Sequence, residues 1–428
     1  MAEQQEQAAD TPPLRRNREF QLFWFGSAIS VLGSVVSGIA YPLLVLSLRG
    51  SAFEAGLVSF ASSLPSLVVQ LPAGALVDRW DRKRVMIICD LGRALLVGSI
   101  PLGMLFGEPS LPQLMVVAFL ERSFSIFYGL CESGAVRNLV PAEHLGAALS
   151  QLQGRGQGAG LVGQPLGGFL FGLGRMVPFV VDAVSYIVSL ITLLLIRKDF
   201  QKQRAAAPAG AQAGLISEIR EGLVWLWKQP FLRAAAMLIS SSNLLFQIIF
   251  LMVIVIAKKE GASSTEIGFI LTGVGIGGLL GSFAAPWCER RLPRTVVIIG
   301  VNWLWALLMP LMLVVNNVYL LGAVFGLMAL LGPIWNVSLM VYQLSVIPED
   351  LLGRVQSALG VMSAGTVPLG ALLGGYLLDS YGDRVTALAV AGTMLLIAIA
   401  SILSPALRSS GWVQTEHVGA KPGVIGGG

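Results

Sequence analysis

The chain has 428 residues, 55% of them hydrophobic and 12% charged, with 50 glycines and a formal net charge of +5. Its mean hydropathy of +0.75 excludes an ordinary soluble domain and a disordered chain and points to a polytopic membrane protein. Cys89, Cys131 and Cys288 have neither an even count nor metal-ligand spacing, so neither a disulfide framework nor a metal site is expected.

Residues 1–14 are polar, carry acids rather than a basic stretch, and run into an apolar segment without a small-residue cleavage site, so they read as a tail and not as a signal peptide. A helix crossing about 30 Å of hydrocarbon needs about 20 residues. Cutting the chain at its charged and Pro/Gly-rich breaks then gives twelve expected spans: 20–47, 53–77, 84–106, 112–134, 147–173, 176–197, 232–257, 266–288, 295–316, 318–342, 354–379 and 384–407. The expected organisation is a tail (1–19), a six-helix bundle (20–197), a polar central loop (198–231), a second six-helix bundle (232–407) and a closing tail (408–428).

Between the second and third spans lies GALVDRWDRKR, residues 74–84, with six of its eleven residues charged. Its four basic residues hold this loop on the cytoplasmic side. Asp78 is not explained by that rule: flanked by Arg79 and Arg82, it can pair with them or lie against the positive end of a neighbouring helix.

Charges inside the next four spans cost about 2.5–3.5 kcal/mol each at a helix centre and persist mainly where paired or wet. Asp90 and Arg93 share a face of the third span at i, i+3. With Glu132 of the fourth span and Arg155 of the fifth, at similar depth, they make a charge-balanced set read as a buried structural network. Glu121 and Arg122, near mid-membrane, and Asp182, in the outer third of the sixth span, fit that reading less well. Proton coupling needs a carboxyl group whose proton affinity changes with hydration, and Glu121 (beside Arg122) and Asp182 are the candidates. Both histidines, His144 and His417, lie outside the spans.

The central loop ends in GLISEIREGLVWLWKQP, where Leu215, Ile219, Leu223 and Leu226 recur at helical spacing, as in a helix lying in the membrane interface. Beyond it, intramembrane charge almost vanishes. Asn243, Phe246 and Gln247 in the seventh span and Trp335, Asn336 and Gln343 in the tenth combine aromatic area with amides and suit a large amphipathic ligand. Single amides in spans also serve to bond neighbouring helices. Glycines in the fifth and eighth spans form small-residue surfaces for close helix approach.

Alternate loops hold 21 basic residues on the side of the N-terminus and five on the other, which places both termini in the cytoplasm. The basic balance is thus a topology signal and calls for no nucleic acid. A shift of 207 positions aligns residues 139–170 with 346–377 without a gap, eleven of 32 positions being identical, among them Gly163/Gly370, Gly167/Gly374 and Gly168/Gly375. A shift of 212 matches Glu54 and Gly56 with Glu266 and Gly268, and Arg79 and Arg82 with Arg291 and Arg294. Two parallel six-helix copies with a site between them are a transporter architecture.

These residues carry a resemblance. Gly74, Asp78, Arg79, Arg82 and Lys83 resemble the signature loop of the major facilitator superfamily. GLVGQPLGGFL, with Gly163, Gly167 and Gly168 in place and Pro165 one position late, resembles the antiporter motif of its drug/proton exporters. The loops after the fourth and tenth spans are similar to the macrolide-efflux-like branch. The resemblance implies an all-α membrane fold of twelve helices in two pseudo-symmetric bundles, with a bacterial inner-membrane location. It also implies that the first and fourth helices of each half line the cavity, that the fifth, eighth and eleventh meet across the halves, and that Asp78 holds one state of an alternating cycle.

No Walker loop is present, and GVGIGG at 273–278 lacks a Rossmann context, so an enzyme is not expected. The expected function is export of hydrophobic or amphipathic small molecules by proton antiport, with a proton gradient in place of any cofactor. The expected partners are substrate, protons and lipid, and the expected state is a monomer. Export of one natural product such as a siderophore, lipid facilitation without coupling, and a non-transporting sensor stay open.

Overall fold

The computed structural model describes residues 14–77, 80–200, 215–315 and 317–409. Asp78 and Arg79 of the signature loop, residues 201–214 of the central loop, and residues 1–13 and 410–428 of the tails lie outside the described residues. Among the described residues, nine helices are long and apolar enough to cross a membrane. One of them, running to Leu403, holds two crossings, because Gly382 breaks it with φ 78°, a conformation that costs glycine little. Two further crossings are less apolar or less continuous. The fifth span, Leu145–Leu173, is diluted by glycine. The second is split into Ala52–Ser63, Pro65–Val68 and Gln70–Val77, broken where Pro65 brings a ring and no N–H. Together they make the twelve crossings of an all-α fold in two six-helix bundles.

The others follow in order: Arg18–Leu48, Arg82–Phe106, Leu111–Leu139 and Val177–Leu195 in the first bundle, then Pro230–Lys259, Ser264–Arg291, Arg294–Leu308 and Val318–Val346 in the second. The ninth span departs from its expected end: it turns at Met309 and Pro310 and closes with a short helix, Leu311–Val314.

The repeat seen in the sequence is visible as packing. Gly163 and Gly167 lie against Val35, Val36 and Ile39 of the first span, and their counterparts Gly370 and Gly374 lie against Leu244, Gln247 and Ile248 of the seventh. The third glycine of each set faces the other bundle. A Cβ on Gly168 would stand 2.9 Å from Gly268 Cα of the eighth span, and one on Gly375 would stand 3.0 Å from Gly56 Cα of the second. Real side chains do not approach backbone so closely, so glycine is required at both seams. The helices that supply Gly56 and Gly268 begin alike: Ser51 accepts from Glu54 N, and Ser263 forms a full capping box with Glu266.

Both seams lie toward the face away from the chain ends. At mid-depth the approach loosens to 3.4 Å, between Gly275 and Leu161 and between Gly365 and Leu67. Nearer the terminal face, Gly154, Gly156 and Gly158 have nothing within 4 Å of a Cβ position. The bundles therefore touch at the far face and diverge toward the face carrying the chain ends.

The helix Leu215–Lys228 departs from the expected interfacial face. Leu226 is fully buried and Trp225 packs beside it, while Leu223, Val224 and Trp227 are exposed. Gly222 sets this orientation by lying directly on the backbone of Arg354 in the eleventh span. Arg354 Nη1 also donates to Glu221 Oε2 at 2.7 Å.

Candidate functional site

Two adjoining cavities share Gln247, Phe250 and Val367 as a common wall: one of about 400 Å³ between the bundles, lined from both, and one of about 420 Å³ lined by the second bundle. They form one cleft with two unlike sides.

The first-bundle side follows from a polar face on the sixth span. Asp182, Ser185, Tyr186, Ser189 and Thr192 recur at three- and four-residue spacing and are all buried toward the bundle. Tyr186 donates its hydroxyl to Glu121 Oε1 at 2.8 Å and lies 2.9 Å from Ser34 Oγ. The Arg93 guanidinium stacks over Tyr186 at 4.4 Å and over Tyr128 at 4.5 Å, within the range of a cation–π attraction. Arg93 also pairs with Asp90, and both are almost wholly buried. A continuous chain thus runs from Asp90 through Arg93 and Tyr186 to Glu121.

Glu121, half-buried, and Arg122, exposed, both border the cleft. Neighbours on a helix point about 100° apart, and the cleft is wide enough here to meet both. Asp182 stands behind the cleft wall, 0% exposed. The Ser185 hydroxyl donates to its Oδ1 at 3.4 Å, and Ser37 of the first span lies beside it.

The expected four-membered charge network resolves into two pairs. Glu132 and Arg155 form a fork at 2.7 and 3.0 Å, with Arg155 also donating to Ser27. No ion pair joins this fork to Asp90 and Arg93 among the described residues. The geometry explains the split: Glu132 reaches across to the fifth span, whereas Asp90 and Arg93 close on each other within one helical turn.

The second-bundle side is aromatic. Phe246, Trp305, Phe325 and Trp335 line it with Asn243, Gln247 and Asn336. Phe246 meets Trp305 edge-on at 5.0 Å, and Trp305 is fixed by donating Nε1–H to Met328 O at 2.9 Å. Asn243 donates to Ser363 Oγ at 2.6 Å and so ties the seventh span to the eleventh. Gln343 is a correction. It keeps the helical phase of Asn336 but lies two turns, about 10 Å, farther along. It is 9% exposed and outside the cleft lining.

Of the signature loop, Gly74 lies within the last helix of the second span, Gln70–Val77, with open space at its Cβ position. Lys83 donates to Ile196 O at 2.6 Å, at the carbonyl end of the sixth span, where a cation is favoured. The Arg82 guanidinium lies against Gly134. Asp81, not singled out in the sequence, caps the third span by accepting from Arg84 N at 2.8 Å. In the mirror loop position 290 is Arg, but an acid stands one residue earlier: Glu289 accepts from Arg294 at 3.3 Å and from Ser338 at 2.9 Å. Pro165 lies inside the unbroken fifth span, against Gly268.

Neither Tyr128 nor Tyr186 stands out in the sequence as a site residue; for Tyr186 the periodic polar face of the sixth span, which it shares with Asp182, is a signal, whereas Tyr128 on the fourth span has none.

Residues 8–418 match the family described as transmembrane secretion effector. The chain is similar to the multidrug efflux pump Tap of Mycolicibacterium fortuitum, 29% identical over 407 residues that cover 90% of this chain and 96% of that protein. It is similar to macrolide efflux protein A of Streptococcus pyogenes, 24% identical over 85% of this chain and 90% of that one. Among solved structures it resembles a bacterial homologue of the iron transporter ferroportin in an inward-facing state (TM-score 0.70, 16% identity, covering 92% of this chain and 99% of that one). It also resembles the nucleoside transporter NupG (TM-score 0.68, 15% identity, covering 91% and 98%). At these identities the structural likeness speaks for the fold alone.

Proposed function

The chain belongs to the transmembrane secretion effector family of major facilitator transporters, and we propose that it exports amphipathic small molecules by alternating access, in exchange for protons. The observation that carries this reading is the cleft itself. It lies between two bundles that are sealed by glycine seams at one face and diverge at the other, and its walls offer both aromatic area and buried polar groups. The relatives named as multidrug and macrolide efflux proteins support export. With both termini in the cytoplasm, as the basic residues of the loops argue, the present state is open inward.

In this reading the bundles pivot about the seams, opening the far face as the terminal face closes. Glu121 exchanges protons, because it borders the space that is wet in one state and closed in the other, and because its environment changes with that wetting. Asp182 is the reserve site behind it. Asp78 steadies the state in which the terminal face is closed.

Proteoliposomes loaded with a fluorescent amphiphile test this. Export against an imposed pH gradient, with Glu121→Gln keeping substrate binding but losing the acceleration by the gradient, is the expected outcome. Flux indifferent to pH would replace antiport by facilitation, and absence of any flux would remove the transporter reading. Full gradient-driven export by Glu121→Gln would move the assignment to Asp182, where Asp182→Asn is the same test.

A further inference from the structure

Another cavity lies apart from the cleft. It measures about 500 Å³, is set between the first and fifth spans, and shares no lining residue with the two cavities above. Trp24, Ala28 and Leu32 bound it on one side and Gly154, Gly158 and Val162 on the other, with Arg155 at the inner wall. Helical phase places it on the outside of the bundle. Gly158 and Val162 stand two residues from Gly160 and Gln164, which pack on Gly275 and Gly268 of the eighth span, and a step of two residues turns a side chain about 160° away. Val162, Phe169 and Leu173 on that face, and Phe25 beside Trp24 on the first span, are 48–65% exposed, as large apolar side chains against lipid are.

Helix packing does not explain two of its glycines. Gly163 and Gly167 admit the first span, but a Cβ on Gly154 or Gly158 would meet nothing within 4 Å, although glycine weakens a helix relative to alanine. What these two leave is an open furrow, and its depth fits one leaflet. Trp24 to Leu32 is about 12 Å along the helix, against about 15 Å for half the hydrocarbon layer, and tryptophan favours the headgroup level. Trp24 is fixed there by donating Nε1–H to Gln151 O at 3.3 Å. Arg18 stands about 9 Å above it, in the phase of Phe25 and Leu32, and Arg15 and Arg16 lie in the short turn before it. All three are exposed and in no ion pair among the described residues. That turn is tied down by Gln21 donating to Leu14 O and Asn17 to Leu139 O, both at 3.0 Å. Glu19, beside them, accepts from Arg197 N. Below Trp24, the Arg155 side chain is 9% exposed and held by Glu132 and Ser27, with its Nε–H unpartnered among the described residues.

We propose that this furrow is a site for one anionic phospholipid from the leaflet at the terminal face. Its phosphate lies on Arg15, Arg16 and Arg18, its glycerol esters are level with Trp24 and the Arg155 Nε–H, and one acyl chain runs over Gly154 and Gly158 between the first and fifth spans. The three cations supply the charge that selects the head. The furrow supplies apolar area that a free anion could not use. Seated so, the lipid braces the first span against the fifth on the side away from the cleft. The site uses none of the cleft residues, so it stands apart from the identity of the exported molecule.

The test uses the full chain purified in dodecyl maltoside, with phosphatidylglycerol and phosphatidylcholine of the same acyl chains as probes, and reads binding by thermal unfolding and native mass spectrometry. Phosphatidylglycerol is expected to raise the unfolding temperature, by mass action on the folded state, with a Kd about tenfold or more below that of phosphatidylcholine. The triple change Arg15→Ala, Arg16→Ala, Arg18→Ala is expected to erase that preference, since each arginine counts for up to about fivefold. The change Arg290→Ala with Arg291→Ala, in the mirror loop, is expected to leave it whole. Gly158→Leu fills the furrow and is expected to weaken both lipids about tenfold, while the unfolding temperature in lipid-free detergent holds or rises, leucine being the better helix former. Gly154→Val is read in the same way should that variant not fold. Inorganic phosphate alone is expected to stabilise nothing. Equal binding of the two lipids in the wild type, an equal loss of preference in the mirror-loop variant, full lipid binding by the filled furrow, or stabilisation by phosphate alone overturns the proposal, and each leaves the export reading where it stands.

Discussion

The two bundles are copies in their packing and strangers in their chemistry. Gly163, Gly167 and Gly168 repeat at Gly370, Gly374 and Gly375 and meet equivalent neighbours, first within their own bundle and then across the seam. The shift of 212 that relates the second and eighth spans carries Asp90 to Asn302 and Arg93 to Trp305. Where the first bundle buries an ion pair, the second has an amide bonded to Ile298 O within its own helix and an indole bonded to Met328 O. The shift of 207 likewise carries Glu132 and Arg155 to Leu339 and Met362. Backbone approach cannot vary without separating the bundles, so both copies keep it. Side chains away from these contacts are free to diverge, and the cleft has a polar wall from the first bundle and an aromatic one from the second.

The largest effect expected from disturbing this division is at the buried pair. Arg93→Leu leaves Asp90, 0% exposed, without its counter-charge, and losing one member of such a pair costs about 3–5 kcal/mol. It also removes the cation beneath Tyr186 and so loosens the group that holds Glu121. The double change Asp90→Leu with Arg93→Leu makes the site apolar, as at the corresponding point of the second bundle, and is expected to recover most of the stability. Thermal unfolding in detergent measures both. A double variant as unstable as the single one would mean that the pair is held for its shape and not for its charge.

Next in size is the seam. Gly168→Val places methyl groups where Gly268 and the Ser264 carbonyl already stand, so the far face cannot close as it does here, and export is expected to fall more than tenfold. The same should hold for Gly375→Val against Gly56, its image in the repeat. Gly278→Ala, with nothing within 4 Å, is the matched control on the eighth span. If only one of the two seams is sensitive in a transport assay, the bundles do not pivot symmetrically.

How far this was legible in the sequence follows the same division. The seam glycines could be read as counterparts in the repeat, because backbone contact tolerates no side chain and the constraint leaves a mark in both copies; their partners across the seam could not, and the eleventh span meets the second at Gly56 while the fifth meets the eighth at Gly268. Asn243, Phe246, Gln247, Trp335 and Asn336, marked in the seventh and tenth spans by their mix of amides and aromatics, border the cleft. Depth along a helix could not be read, which is why Gln343 was placed in the cleft. The Asp90–Arg93 pairing followed from i, i+3 spacing, but the partner of Glu132 was set by which helix packs beside it, and spacing within one helix carries no such information. Tyr128 is hidden because a tyrosine in an apolar span reads as core until its hydroxyl partner, here Ser189, is known. The docking of Leu215–Lys228 was hidden because periodicity marks an apolar face without saying whether lipid or protein covers it.

That helix gives the smallest expected effect, and a sharp one. Arg354 and Glu221 make a good ion pair by distance, yet their side chains are 35% and 54% exposed, and a pair so open to solvent contributes at most about 1 kcal/mol. Arg354→Ala should therefore shift the unfolding temperature by little more than the error of the measurement. The shift should shrink further between about 0.15 M and 1 M salt as screening tightens. What holds the helix is the burial of Leu226 and the contact of Gly222 with the Arg354 backbone, neither of which the alanine removes. A large, salt-insensitive loss in Arg354→Ala would mean that the guanidinium, and not the glycine contact, fixes the helix on the eleventh span. The connection between the bundles would then join the charged half of the comparison instead of the packed one.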